Sequence, residues 1–90
     1  MANKRDLKRN INYVCSELLS EVVAASVYSS KENDENVKAL LASILVIHSD
    51  YVRRVSHIEP GLAPKRFFKD LAVNFNKQAS EIIDQIASIG

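Results

Sequence analysis

Apolar residues recur along the chain at steps of three and four residues, in three separate segments. In the first segment, residues 3–29, this spacing puts one apolar stripe on a single face of an α-helix. The stripe consists of Leu7, Ile11, Val14, Leu18, Val22 and Ala25, and Cys15, Leu19 and Ser26 widen it. The pattern therefore predicts a first amphipathic helix over residues 3–29.

The same spacing predicts two further helices, over residues 34–57 and 64–88. The second stripe comprises Val37, Leu40, Leu41, Ile44, His48, Tyr51 and Val55, and the third comprises Phe68, Leu71, Phe75, Ala79, Ile82 and Ile86. A polar run separates the first two helices, and in it we expect Ser30 or Asn33 to be the N-cap. Pro60 and Gly61 should end the second helix, and Pro64 suits the first turn of the third.

Short connections force neighbouring helices to run antiparallel. We predict one all-α domain over residues 1–90, an up-down-up antiparallel three-helix bundle in which the three apolar stripes close on one another. The alternative is a helical hairpin whose third helix packs into a partner chain. Ninety residues of which 47% are hydrophobic, with two glycines and two prolines, are enough for a modest core and long helices.

The predicted topology gathers basic residues at one end of the bundle, where helix one starts, helix two ends and helix three starts. This basic end holds nine of the twelve Lys and Arg residues but four of the eleven Asp and Glu residues. The nine are Lys4, Arg5, Lys8, Arg9, Arg53, Arg54, Lys65, Arg66 and Lys69. The pattern is typical of a site for nucleic-acid phosphate, another polyanion or an acidic partner, and more often of a solubilising surface.

Helices one and two also carry surplus apolar residues near their connection, at the opposite end. Residues 22–28 and 39–47 are apolar almost all round, whereas a helix in an isolated bundle keeps a polar solvent face. The candidate interface residues are Val23, Val27, Ala39, Ala42 and Val46. These residues predict a homodimer or a protein partner, and the alternative is a scatter of exposed apolar groups.

Candidate chemistry is sparse. Cys15 and His48 fall at about the same level of the predicted bundle, and a Cys–His pair can generate a reactive thiolate. Both lie on core stripes, so we expect a buried, unreactive cysteine and a hydrogen-bonded histidine. Neither His48 nor His57 follows a glutamate three residues earlier, the spacing of bundle metal sites. We expect no enzyme activity, no catalytic or metal-binding residue and no cofactor.

The sequence also bears on the cellular compartment. A single cysteine cannot form an internal disulfide, so nothing indicates an oxidising environment. The longest nearly apolar run, residues 39–47, is far shorter than the roughly 20 residues of a membrane span. No apolar segment of the kind found in signal peptides follows the first basic residues. We expect a soluble cytoplasmic protein with no membrane partner.

Three stretches carry a resemblance to known proteins: residues 3–8 (NKRDLK), 48–57 (HSDYVRRVSH) and 80–86 (SEIIDQI). Through them the chain resembles a small family of compact bacterial all-helical proteins of unknown function. The resemblance implies a helical fold and no known activity, substrate or binding residue. The surplus apolar surface of helices one and two gives the leading hypothesis, a non-enzymatic interaction protein that self-associates or binds a protein partner. The alternative is a protein that binds nucleic acid or another polyanion through its basic end.

Overall fold

The computed structural model describes residues 4–31, 33–57 and 64–89, which form three helices, α1 (Lys4–Tyr28), α2 (Glu35–Ser56) and α3 (Pro64–Ala87). All three pairs of helices are in contact, so the prediction of an all-α three-helix bundle is confirmed. The predicted start at residue 3 and the predicted stop at Pro60 and Gly61 lie outside the described residues. The other predicted helix ends agree with the observed ends to within one residue.

Backbone and side-chain capping define the connection between α1 and α2. Ser30 has a left-handed backbone (φ 57°), and the N–H of Lys31 donates to the carbonyl of Ser26 (2.7 Å), which closes α1. The N-cap of α2 is Asp34, whose carboxylate accepts from the N–H of Asn36 (2.7 Å). The prediction of Ser30 or Asn33 as the cap was wrong, because Ser30 ends α1 and Asp34 has the extended backbone of a cap.

The core runs along the common axis of the three helices. Its largest fully buried side chains are Ile11 and Val22 of α1, Ile44 and Val55 of α2, and Phe75 of α3. The rings of Tyr51 and Phe75 meet edge to face across α2 and α3, with their centroids 5.4 Å apart. Every buried apolar residue of the helices lies on, or beside, a predicted stripe, whereas five stripe members are only half-buried: Val14, Ala25, Leu41, His48 and Ile86.

A side-chain contact fixes the order of the helices along this axis. The ammonium group of Lys31, in the first connection, donates to the carbonyl oxygen of Ile89 just beyond α3 (2.8 Å). The end of α3 therefore lies beside the end of α1 and the start of α2. It follows that the start of α1, the end of α2 and the start of α3 share the opposite end of a bundle 49 Å long.

Replacing Phe75 by alanine tests the central position of this ring. The side chain is 1% exposed, so Phe75→Ala should lower the free energy of unfolding by about 3–5 kcal/mol through lost burial and the cavity left behind. Urea unfolding followed by circular dichroism measures the change. Val73→Ala, at a site 59% exposed on the same helix, is the control and should have little effect. Equal effects of the two substitutions would contradict the packing described here.

Candidate interaction surfaces

A polar contact joins α1 to α2 at half their length. The Nε2 atom of His48 lies 2.6 Å from Oδ1 of Asn12. Because an amide oxygen can only accept, the imidazole nitrogen is the donor, and the histidine is held by this amide. The side chain of His48 is half-buried, at the edge of the core. Its role in the structure is thus to link two helices, and sequence periodicity alone did not indicate Asn12 as its partner.

Cys15 is a buried free thiol, only 2% exposed. Burial raises the pKa of this thiol above its ordinary value, because the interior disfavours the charged thiolate. The thiol form is therefore dominant at neutral pH, contrary to what a nucleophile requires. Across the described residues, no group of three or more His, Cys, Asp or Glu side chains is arranged to hold a metal ion.

The nine basic residues of the basic end are all exposed, and they lie on three helix termini that share one end of the bundle. Arg54 pairs with Asp50 (3.1 Å), and its guanidinium lies 5.2 Å from the centre of the Tyr51 ring. The first turn of α3 contains Lys65 and Arg66 and no acidic residue. Cations at a helix N-terminus are opposed by the helix dipole, so these two are unfavourable for local stability.

The five candidate interface residues are also all exposed, but they lie on two different surfaces. Ala39, Ala42 and Val46 follow one another at steps of three and four on α2, and each borders the groove between α2 and α3. Asn12 marks the side of α1 that meets α2, because it contacts His48. Val23 is eleven residues, about three helical turns, from Asn12, so it lies on the same side of α1. Val27 lies one turn after Val23, on the same side of α1. The three α2 residues are thus grouped beside α3, whereas helical spacing puts Val23 and Val27 on the side of α1 that meets α2.

Sequence reasoning did not include several exposed apolar side chains among the candidate interface residues. Leu45 of α2 is 56% exposed, and Tyr13, Tyr28, Val73 and Ile83 are exposed to a similar or greater degree. Leu45 lies one turn before His48, hence on the side of α2 that faces α1. The sequence offered one signal of this exposure: Leu45 is apolar but lies off the apolar stripe that its helix turns toward the core.

We define the outer face of α2 as Ala39, Ala42, Val46 and Ser49, which are all exposed and follow one another at steps of three, four and three. This spacing aligns them along one side of the helix, away from the buried Leu40 and Ile44. Val46 is 66% exposed, the most exposed aliphatic side chain among the large ones described. The outer face of α2 is thus a continuous strip of apolar and small side chains on the bundle surface.

No protein-family model, curated protein or solved structure matches the chain. The chain is therefore assigned to no family, and the resemblance to small bacterial helical proteins stays an expectation. None of the helices in the described portion combines the length and the apolar character that crossing a membrane requires. Any inference about function must therefore rest on the surface residues of the bundle.

The state of Cys15 predicts how the thiol reacts. Because burial raises its pKa and blocks access, the folded protein should react slowly with a thiol-specific reagent at pH 8, at a rate that follows unfolding. The reaction should also need a more alkaline pH than an exposed thiol needs. The control is Cys15→Ser combined with Ser80→Cys, which has one exposed cysteine on α3 and should react rapidly. If Cys15 reacts as fast as this control, the thiol is not buried as described.

Proposed function

We propose that this protein is a non-enzymatic interaction protein that binds another protein helix along the outer face of α2. The observation that carries the proposal is the exposure of Val46, 66%, at the centre of a strip that includes Ala39 and Ala42. Covering one exposed valine or leucine side chain fully contributes roughly 1.5–3 kcal/mol. Because Val46 is 66% exposed, a partner helix packed on this strip would gain part of that free energy.

The shape of the strip suits a helix as partner. Ala39, Ala42 and Ser49 are small, so the backbone of a second helix can approach closely beside them. The alternation of three- and four-residue steps is the spacing by which two helices interlock side chains in a coiled coil. Val46 would then be the projecting residue that fits between side chains of the partner.

The non-enzymatic part of the proposal is supported by the state of the two residues whose side chains are best suited to catalysis. Cys15 is buried with a raised pKa, and His48 is engaged with Asn12. The thiol therefore lacks the access and activation that a nucleophile requires, and the Nε2 atom of His48 already donates to Asn12. We assign the interaction to the cytoplasm, because a chain with one cysteine does not depend on an oxidising compartment.

A second candidate function is polyanion binding by the basic end. The observation that favours it is the exposure of nine basic side chains on three adjacent helix termini, with Lys65 and Arg66 placed against the dipole of α3. Such a cluster attracts a phosphate backbone over a distance of about one Debye length, roughly 8 Å at physiological salt. The basic end lies at one end of the bundle and the outer face of α2 runs along its side, so the two functions can coexist.

Val46→Glu tests the leading proposal. The wild type should associate in a concentration-dependent manner in sedimentation velocity, and Val46→Glu should be monomeric because it would place a charge in the apolar contact. Matched controls are Val23→Glu on α1 and Val73→Glu on α3, both at exposed valines, which should associate like the wild type. A Val46→Glu variant that associates normally, or dissociation by all three variants, would contradict binding through the outer face of α2.

A wild type that stays monomeric at high concentration rules out self-association and leaves a different protein as the partner of this face. Affinity capture with the wild type and Val46→Glu in parallel then provides the measurement. A protein retained by the wild type and lost with Val46→Glu supports the proposal. Equal retention by both proteins contradicts it.

The polyanion candidate predicts salt-sensitive binding of labelled DNA or RNA, measured by fluorescence anisotropy. The logarithm of affinity should fall linearly with the logarithm of salt concentration, because bound counterions are released. Replacing Arg53, Arg54, Lys65 and Arg66 by alanine should weaken binding and flatten this dependence. The control replaces Lys38 and Lys77, exposed lysines outside the basic end, and circular dichroism verifies both folds. Equal losses in the two variants would contradict a site at the basic end.

A further inference from the structure

The outer face of α2 ends in opposite charges. Glu35 lies in the first turn of the helix, four residues before Ala39, and Arg53 lies in the last turn, four residues after Ser49. The extended strip is continuous and exposed throughout, and it follows regular steps of four and three residues: Glu35, Ala39, Ala42, Val46, Ser49 and Arg53. Along this side of α2 the side chains are thus acidic at the start of the helix, mostly apolar in the middle and basic at its end.

This strip is complementary to itself when it is reversed. Consider a second α2 that runs antiparallel to the first and is related to it by a two-fold axis at the level of Ile44. Each residue before position 44 in one copy then faces the residue of the other copy that lies equally far after position 44. Ala42 then faces Val46 of the second copy, Ala39 faces Ser49, and Glu35 faces Arg53. The small Ala42 thus meets the larger Val46, two small side chains meet where Ala39 faces Ser49, and each acidic residue meets a basic one.

We propose that the partner of the outer face of α2 is a second copy of this chain, bound antiparallel about a two-fold axis near Ile44, with Glu35 of each copy against Arg53 of the other. This inference rests on the proposed function and adds the identity of the partner and its orientation. A two-fold arrangement uses the same surface on both copies, so one self-complementary strip is sufficient.

The charge distribution of the whole bundle favours the same orientation. The basic end carries nine basic and four acidic residues, and the rest of the chain carries three basic and seven acidic residues. Antiparallel pairing brings the basic end of one copy beside the acidic part of the other. Parallel pairing would instead bring Glu35 near Glu35 and Arg53 near Arg53, so electrostatics selects against it.

Existing contacts leave the charged residues available. Glu35 approaches Lys38 at 3.6 Å, but its side chain is 89% exposed, so this pair within one turn is weak and readily exchanged. Arg54, rather than Arg53, makes the ion pair with Asp50. Leu45 flanks the strip close to the level of the axis, where its exposed side chain would pack against Leu45 of the second copy.

Disulfide trapping tests the orientation. In a Cys15→Ser background, Ala39→Cys and Ser49→Cys are prepared as separate proteins and oxidised alone and as a mixture. In the antiparallel dimer two copies of residue 39 lie about 15 Å apart along the helix, from ten residues at 1.5 Å each. A disulfide requires Cα atoms within about 7 Å. We therefore expect a mixed disulfide between the two variants and little self-linked dimer of either.

Charge reversal provides an independent readout in sedimentation equilibrium. Glu35→Arg alone and Arg53→Glu alone each replace two attractive pairs per dimer by two repulsive ones, so each should raise the dissociation constant by about tenfold or more. An equimolar mixture of the two variants should recover wild-type affinity as a heterodimer. Both substitutions in one chain should recover it as a homodimer, which also shows that the substituted helix still folds.

The outcomes separate this inference from the proposed function. Efficient self-linking by Ala39→Cys or by Ser49→Cys would overturn the antiparallel orientation while self-association stands. Charge reversals that leave the dissociation constant unchanged would overturn the pairing of Glu35 with Arg53. A monomeric wild type would overturn the second copy as the partner, whereas binding of another protein to the same face would be judged by Val46→Glu in affinity capture.

Discussion

The burial of three apolar stripes in one shared core is the constraint on which the rest of the molecule depends. Ile11, Ile44 and Phe75 are almost completely removed from solvent, one from each helix. Isolated helices are marginal in water, and most helix stability in proteins comes from packing of the apolar face. Since all three stripes must meet, the short connection between α1 and α2 leads to one antiparallel arrangement, and the position of every surface group follows from it.

That arrangement gives a nearly neutral chain two electrically different ends. Residues far apart in the sequence, such as Arg5, Arg53 and Arg66, come to the same end because three helix termini meet there. Two of the three basic clusters lie at helix N-termini, where the dipole disfavours them. The core must therefore offset a local electrostatic cost, which is consistent with a role for these charges beyond stability.

The same packing gives α2 a buried inner side and an exposed outer side. Its inner side, with Ile44 and Tyr51, contacts α1 and α3, and its outer face keeps Val46 in contact with water. The three helices do not cover the outer face of α2, so its apolar side chains stay in contact with water in this structure. The change from Glu35 to Arg53 along this strip then determines which orientation of a second copy is attractive.

The sequence by itself determined the three helices, their ends to within a residue where described, and the stripes that form the core, because helical periodicity is a local property of residues three and four apart. It did not determine the N-cap of α2, since Ser30, Asn33 and Asp34 are all residue types that favour caps. Asp34 is the cap because its backbone is extended and its side chain accepts from the helix. Only the tertiary structure decided that Asn12 holds His48, and that Ala39, Ala42 and Val46 share a surface while Val23 lies elsewhere. Those relations depend on the rotation of one helix about its axis relative to the next, which is set by packing in the core and not by spacing along the chain.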